Sequence, residues 1–170
     1  MSNYILLGFP GSGKTTVAKF FSDNMKNVNI IEMGDLVRDK YVLMNEKNEY
    51  ATLVEYANSV FRKKKYLEFV SMIDKKTRDN IIFVGPRTVQ EVQYLCDNFD
   101  IKSIIGLVCE KEERLNRRKK QNKYNNKEYF NKRDEIEEKW GLSKTLECCD
   151  VVYDTTKLTP SDIYRLIIEN

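Results

Sequence analysis

The sequence predicts an α/β protein built on a doubly wound, five-stranded parallel sheet, and three observations carry that expectation. Short apolar runs at residues 4–9, 28–33, 81–84, 101–108 and 151–153 recur between longer amphipathic stretches. Parallel strands covered by helices on both faces read in this way, because neither face meets water. The first run passes directly into Gly8-Phe9-Pro10-Gly11-Ser12-Gly13-Lys14-Thr15, which fills every fixed position of the phosphate-binding pattern G-x-x-x-x-G-K-[ST]. That pattern requires a strand before it and a helix after it, and Val17 through Met25 supplies apolar positions at helical spacing. Finally, 170 residues without internal repeat or Pro/Ser linker suit one domain over residues 1–170.

Taken in chain order, the loop after the first strand is the anion site. Its glycines admit backbone conformations closed to other residues, so successive N–H groups converge on phosphate oxygens at a helix N-terminus. Gly8, Pro10, Gly11, Ser12, Gly13, Lys14, Thr15 and Thr16 are the candidate nucleotide-binding residues. Lys14 reaches the β- and γ-phosphates, and the Thr15 hydroxyl enters the coordination sphere of Mg²⁺. The loop after the second strand, Met33-Gly34-Asp35-Leu36-Val37-Arg38-Asp39, sets a carboxylate and an arginine three residues apart at the start of a helix. Asp35 suits a helix N-cap, or a group that orients a Mg²⁺-bound water or accepts the acceptor's proton. Arg38, one turn on, suits bidentate capture of an acceptor phosphate.

Residues 34–80 far exceed an ordinary connection between strands and predict a helical insert over about 36–79. Within it Leu53, Ala57, Val60 and Phe61 form an apolar stripe, read as core, and Arg62 is a further acceptor candidate beside the solvated Lys63, Lys64 and Lys65. After the third strand, Gly85-Pro86-Arg87-Thr88 turns the chain so that Arg87 emerges beside the phosphate loop. Beyond the fourth strand, Arg114 shares a helix face with Arg117 and with Arg118, predicting a cationic ridge. Arg114 and Arg118 are nucleotide-binding candidates, and Arg118 with Arg133 would stabilise charge on a transferring phosphoryl group. The polar segment 117–127 reads as a solvated loop or as a cationic flap, within a short lid over about 114–134. Arg133-Asp134 is expected at the start of a helix running through Ile136, Trp140 and Leu146.

Composition narrows the chemistry. The chain has no histidine, which removes Ser-His-Asp hydrolysis, Cys-His proteolysis and His-ligated zinc. Carboxylates, lysine, arginine and a metal remain, an inventory that suits phosphoryl transfer. Apolar residues at 41%, charged residues at 32% and a net charge of +3 are ordinary for a soluble domain and do not indicate a nucleic-acid partner. No apolar stretch reaches the ~18–20 residues of a membrane span. The amino terminus opens on a strand without a secretory leader, so a cytoplasmic protein is expected, with Cys96, Cys109, Cys148 and Cys149 as buried thiols.

Together, residues 8–16, Met33-Gly34-Asp35-Leu36-Val37-Arg38, Gly85-Pro86-Arg87-Thr88 and Arg133-Asp134 resemble the adenylate-kinase-like nucleoside monophosphate kinases. The segments 35–41, 85–92, and Arg133-Asp134 through Trp140-Gly141-Leu142 to Cys149-Asp150-Val151-Val152-Tyr153-Asp154 are more narrowly similar to archaeal adenylate-kinase-related P-loop proteins, themselves likened to dephospho-CoA kinases. The resemblance covers nearly the whole chain. It implies a P-loop kinase core, an acceptor-binding insert and a lid, with ATP and Mg²⁺ as donor and cofactor and a small-molecule nucleotide as acceptor. By matching positions it implies Lys14 and Thr15 as phosphate and metal residues and Asp35 as a Mg²⁺-water residue or base. It likewise implies Arg38 and Arg87 as acceptor-phosphate ligands, with Arg118 and Arg133 as lid arginines. One position departs: the family places Asp directly before the glycine that follows strand three, and this chain has Val84. The expected activity is γ-phosphoryl transfer from ATP to a nucleoside or deoxynucleoside monophosphate. The alternatives are a dephospho-CoA-like or nucleic-acid hydroxyl acceptor, or a nucleotide-binding switch with little turnover.

Overall fold

The computed structural model describes residues 2–44, 50–75, 79–121 and 127–169. Five strands form one sheet: β1 (Asn3–Leu7), β2 (Val28–Glu32), β3 (Asn80–Val84), β4 (Ile101–Val108) and β5 (Val151–Asp154). Their spatial order is β2-β3-β1-β4-β5 and every neighbouring pair is parallel, so the predicted doubly wound sheet is present. β1 is central and buried throughout, and its alternation decides what each face packs against. Tyr4 and Leu6 point into a core with Val17, Ala18 and Phe21 of α1 (Lys14–Asn24) and Ile163 and Ile167 of α9 (Pro160–Ile168). Ile5 and Leu7 face the opposite core, with Val70 of α4 (Leu67–Val70) and Val92 and Leu95 of α5 (Val89–Asn98).

Element ends follow local chemistry. The first apolar run leaves the sheet at Leu7, because Gly8 and Phe9 already belong to the phosphate loop. The second ends at Glu32, because Met33 opens α2 (Met33–Met44). Asp35 therefore lies inside the first turn of α2 and does not cap it, which corrects the N-cap reading. Reciprocal capping boxes start α5 at Thr88 with Glu91, and α9 at Thr159 with Asp162 and Pro160 at the first turn.

The long connection between β2 and β3 holds α2, α3 (Leu53–Arg62) and α4. These helices build a third core from Tyr56, Val60, Phe61 and Phe69, against which Leu36, Val37, Tyr41 and Trp140 pack. The predicted stripe on α3 is buried at Ala57, Val60 and Phe61; Leu53 is half-buried, and Tyr56 joins the buried face.

After β4 come α6 (Lys111–Lys120), α7 (Lys127–Lys139) and α8 (Leu142–Leu146). Arg133 and Asp134 lie mid-helix in α7, not at its start, and the helix expected to run through Leu146 is divided at Gly141, whose φ of 99° ends α7 and opens α8. The first turns of α7 are mostly polar, so apolar periodicity does not mark them. Of the predicted flap, residues 122–126 lie outside the described residues. The four cysteines are free thiols, but Cys96 is exposed and the other three are half-buried, which corrects their expected burial. No helix among the described residues is long and apolar enough to cross a membrane.

Candidate functional site

The phosphate loop is held from beneath by its own sequence. At Gly8 a Cβ would lie 2.3 Å from the Leu107 carbonyl oxygen and 2.5 Å from Ser12 Oγ, with φ at 146°, so only glycine lets β4 and the loop approach this closely. The Ser12 amide donates to Phe9 O at 3.1 Å, and Gly13 caps α1 at a φ of 91°, leaving the first amides of α1 directed at the loop. Lys14 Nζ donates to Gly8 O at 2.6 Å and to Phe9 O at 3.0 Å. Burial, with Arg87 and Arg118 as neighbouring cations, lowers its pKa to about 7, partly opposed by Glu137 and Glu32.

Two further struts come from distant sequence. Arg114 is buried, donates through Nη1 to Pro10 O at 3.1 Å, and forms a bidentate pair with Asp134 at 2.9 and 2.6 Å. Its guanidinium also lies 5.3 and 5.1 Å from the Phe9 and Phe130 ring centres. The Thr155 hydroxyl donates to Ser12 O at 2.9 Å while accepting from Arg117 Nη1 at 3.1 Å. Arg117 is paired in addition with Glu113 at 2.9 Å.

Above the loop lies a cleft of about 930 Å³, within the size range of small-ligand sites. Gly8, Pro10, Gly11, Gly13, Lys14, Thr15 and Thr16 form its floor, and Arg87, Arg118 and Arg133 line its walls. Glu137, fully buried, organises two of these arginines: it accepts from Arg87 Nε at 3.0 Å and from Arg133 Nη2 at 2.7 Å. Burial disfavours its charged form, but Arg87, Arg133 and Lys14 outweigh that and hold its pKa below the usual carboxylate value. Arg87 also donates to Gly85 O, and Thr145 Oγ1 donates to Arg87 O at 2.9 Å. Arg133 packs 5.1 Å from the centre of Trp140, whose ring stacks on Phe61 at 4.3 Å and 7°.

The structure thus gathers the phosphate-loop residues, Arg87, Arg118 and Arg133 around one cleft. It does not bring the other candidates there. Asp35 and Arg38 are exposed, pair with each other and do not line the cleft. Arg62 is exposed, with its Nε donating to Asn58 O at 3.4 Å. Arg114 sits behind the loop, committed to Asp134, so the predicted ridge is divided: Arg114 supports from within while Arg118 lines the cleft. Ser12 is buried under the floor, and its hydroxyl has no partner among the described residues. The cleft also contains residues not anticipated, above all Glu137 and Glu32. Glu137 had a sequence signal, its i,i+4 spacing from Arg133; Glu32 had another, a charge closing an apolar strand.

The donor set fits a metal-bound polyphosphate. The first-turn amides of α1 have no intrahelical carbonyl to meet, and Lys14, Thr15 and Thr16 line the cleft, so backbone and side-chain donors face the space above the loop. No group of three His, Cys, Asp or Glu among the described residues can cage a metal unaided. Hard oxygen donors from Thr15, phosphate and water would instead hold Mg²⁺.

Known proteins agree with this architecture. Residues 5–138 match the profile of the AAA_18 family, described as an AAA domain. Adenylate kinases of Mesomycoplasma hyopneumoniae strains 7448 and 232 are each 30% identical over 112 residues, covering 62% of this chain and 48% of theirs. The chain therefore spans about half the length of the curated relatives it matches. Among solved structures, shikimate kinase from Acinetobacter baumannii in complex with shikimate superposes with a TM-score of 0.61 at 14% identity, covering 99% of this chain and 93% of that one. Shikimate kinase from Aquifex aeolicus vf5 gives 0.55 at 15% identity, covering 99% and 94%. The strand order, the loop and the profile match over most of the chain converge: this protein belongs to the AAA-domain family of P-loop proteins and has the P-loop kinase fold.

Proposed function

We propose that the protein is an ATP- and Mg²⁺-dependent phosphotransferase whose acceptor is a nucleoside or deoxynucleoside monophosphate. One observation carries this reading: Lys14, Arg87, Arg118 and Arg133, remote in sequence, line a single cleft over a complete phosphate loop. Phosphoryl transfer asks for little beyond positioning and charge stabilisation, and this inventory supplies both. Backbone amides of the loop and Lys14 hold the donor's β- and γ-phosphates, and Thr15 contributes a hydroxyl to the metal, which when bound neutralises phosphate charge. Arg87, fixed by Glu137 and by its own turn, grips the acceptor phosphate. Arg118 and Arg133 meet charge developing on the transferring group. The three insert helices form the acceptor module, and α6 with α7 forms a lid that excludes water on closure.

A hydroxyl acceptor is the second reading, favoured by the shared fold with shikimate kinases. The purified protein incubated with labelled ATP, Mg²⁺ and a panel of AMP, CMP, UMP, GMP, dTMP, dephospho-CoA and shikimate distinguishes them. A labelled nucleoside diphosphate supports the first, labelled CoA or shikimate phosphate the second. Absence of product with every acceptor removes the kinase reading.

A further inference from the structure

The cleft wall is strongly cationic, and two carboxylates interrupt it among the described residues, Glu32 and Glu137. Glu137 is accounted for, since each oxygen accepts from a different arginine. Glu32 is half-buried and makes no hydrogen bond or ion pair with any described residue. It is the last residue of β2, in register with Val84, the last residue of β3, at the carboxyl edge of the sheet where the cleft opens. Its charge acts on both Lys14 and Arg87. A carboxylate with no hydrogen-bond or ion-pair partner that faces a polyphosphate site repels the ligand unless a divalent cation stands between them. Mg²⁺ bound through phosphate and one hydroxyl keeps several waters, and those waters need an acceptor. Val84 is apolar and buried in the core, so β3 offers none at this edge. Asp35, the acid favoured by motif reading, faces solvent in a pair with Arg38.

We propose that Glu32 is the carboxylate that orients the water shell of the Mg²⁺ carried by the bound nucleotide. The proposal rests on the nucleotide reading of the cleft, and Mn²⁺ serves as a paramagnetic probe that tests it without turnover. With the full chain saturated by a non-hydrolysable ATP analogue, Mn²⁺ is titrated and its free fraction followed by electron paramagnetic resonance. Glu32→Gln is expected to weaken Mn²⁺ binding about 10- to 100-fold, the usual effect of losing an outer-shell partner. Metal-free analogue binds this variant as well as wild type or more tightly, which also shows that the cleft is intact. Glu32→Asp, which keeps the charge and can still reach through water, stays closer to wild type than Glu32→Gln, and Asp35→Asn matches wild type. Wild-type Mn²⁺ affinity in Glu32→Gln overturns the proposal, as does an equal loss in Asp35→Asn. Failure of the wild-type chain to bind the analogue at all overturns the nucleotide reading with it.

Discussion

Lys14 is held by two carbonyl oxygens of its own loop, with its pKa lowered to about 7 by burial and by neighbouring guanidinium groups. A triphosphate reverses that balance by placing negative charge against the ammonium. At pH 8 the empty site holds Lys14 mostly neutral, so nucleotide binding takes up close to one proton; at pH 6 the lysine is already charged and its uptake vanishes. Calorimetry in buffers of different ionisation enthalpy measures this, and Lys14→Met should remove the pH 8 uptake. Arg114 has a different task, holding Asp134 and the Pro10 carbonyl in a nearly dry setting. Arg114→Ala leaves that carboxylate buried without its partner and should cost about 3–5 kcal/mol in urea unfolding, with nucleotide affinity falling too. A loss near that of an exposed pair, under about 1 kcal/mol, would contradict the support role.

Between helices, the most consequential contact joins the insert to α7. Phe61 of α3 stacks on Trp140, Trp140 donates from its indole to Asn58 Oδ1 at 3.1 Å, and Arg133 lies over the other part of this aromatic assembly before reaching Glu137. A shift of α3 toward an acceptor therefore bears on the arginines of the cleft through packed groups. Trp140 is the single tryptophan of the chain, so its emission reports this contact directly. Acceptor addition is expected to change that emission in the wild type, and Phe61→Leu, which removes the stack but keeps an apolar side chain, should abolish the change and raise acceptor KM more than ATP KM. Equal shifts in both KM values would show that the stack is structural alone. Helix starts at Thr88 and Thr159 needed no such long-range partner, because each capping box lies within four consecutive residues.

Across the entire fold, the cleft draws on the loop after β1, on β2, β3 and α1, and on α6, α7 and the turn after β5, so ligand binding should stabilise the chain globally. At a nucleotide concentration about 100 times Kd the gain is about 2.7 kcal/mol. For a chain of this size that raises Tm by about 5–10 °C. Scanning calorimetry with ATP and Mg²⁺ measures the shift, and Lys14→Ala should show almost none. The sheet, the phosphate loop and the insert were legible because each is encoded in neighbouring residues: continuous apolar runs, glycine spacing, and a connection too long for one crossover. Arg87 was legible through the turn that presents it. What could not be read was which charges face the cleft. Asp35 and Arg38 satisfy a motif yet pair with each other at the surface, Arg114 turns inward to support the loop, and Glu137 and Glu32, whose only sequence signals are a helical spacing and a charge closing an apolar run, enter the cleft. Local periodicity and backbone conformation are short-range properties, and they specified the architecture and the anion-binding loop. The partnering of charges is long-range: Glu137 meets Arg87 across fifty residues, and whether a carboxylate neutralises an arginine or faces the cleft depends on how helices pack.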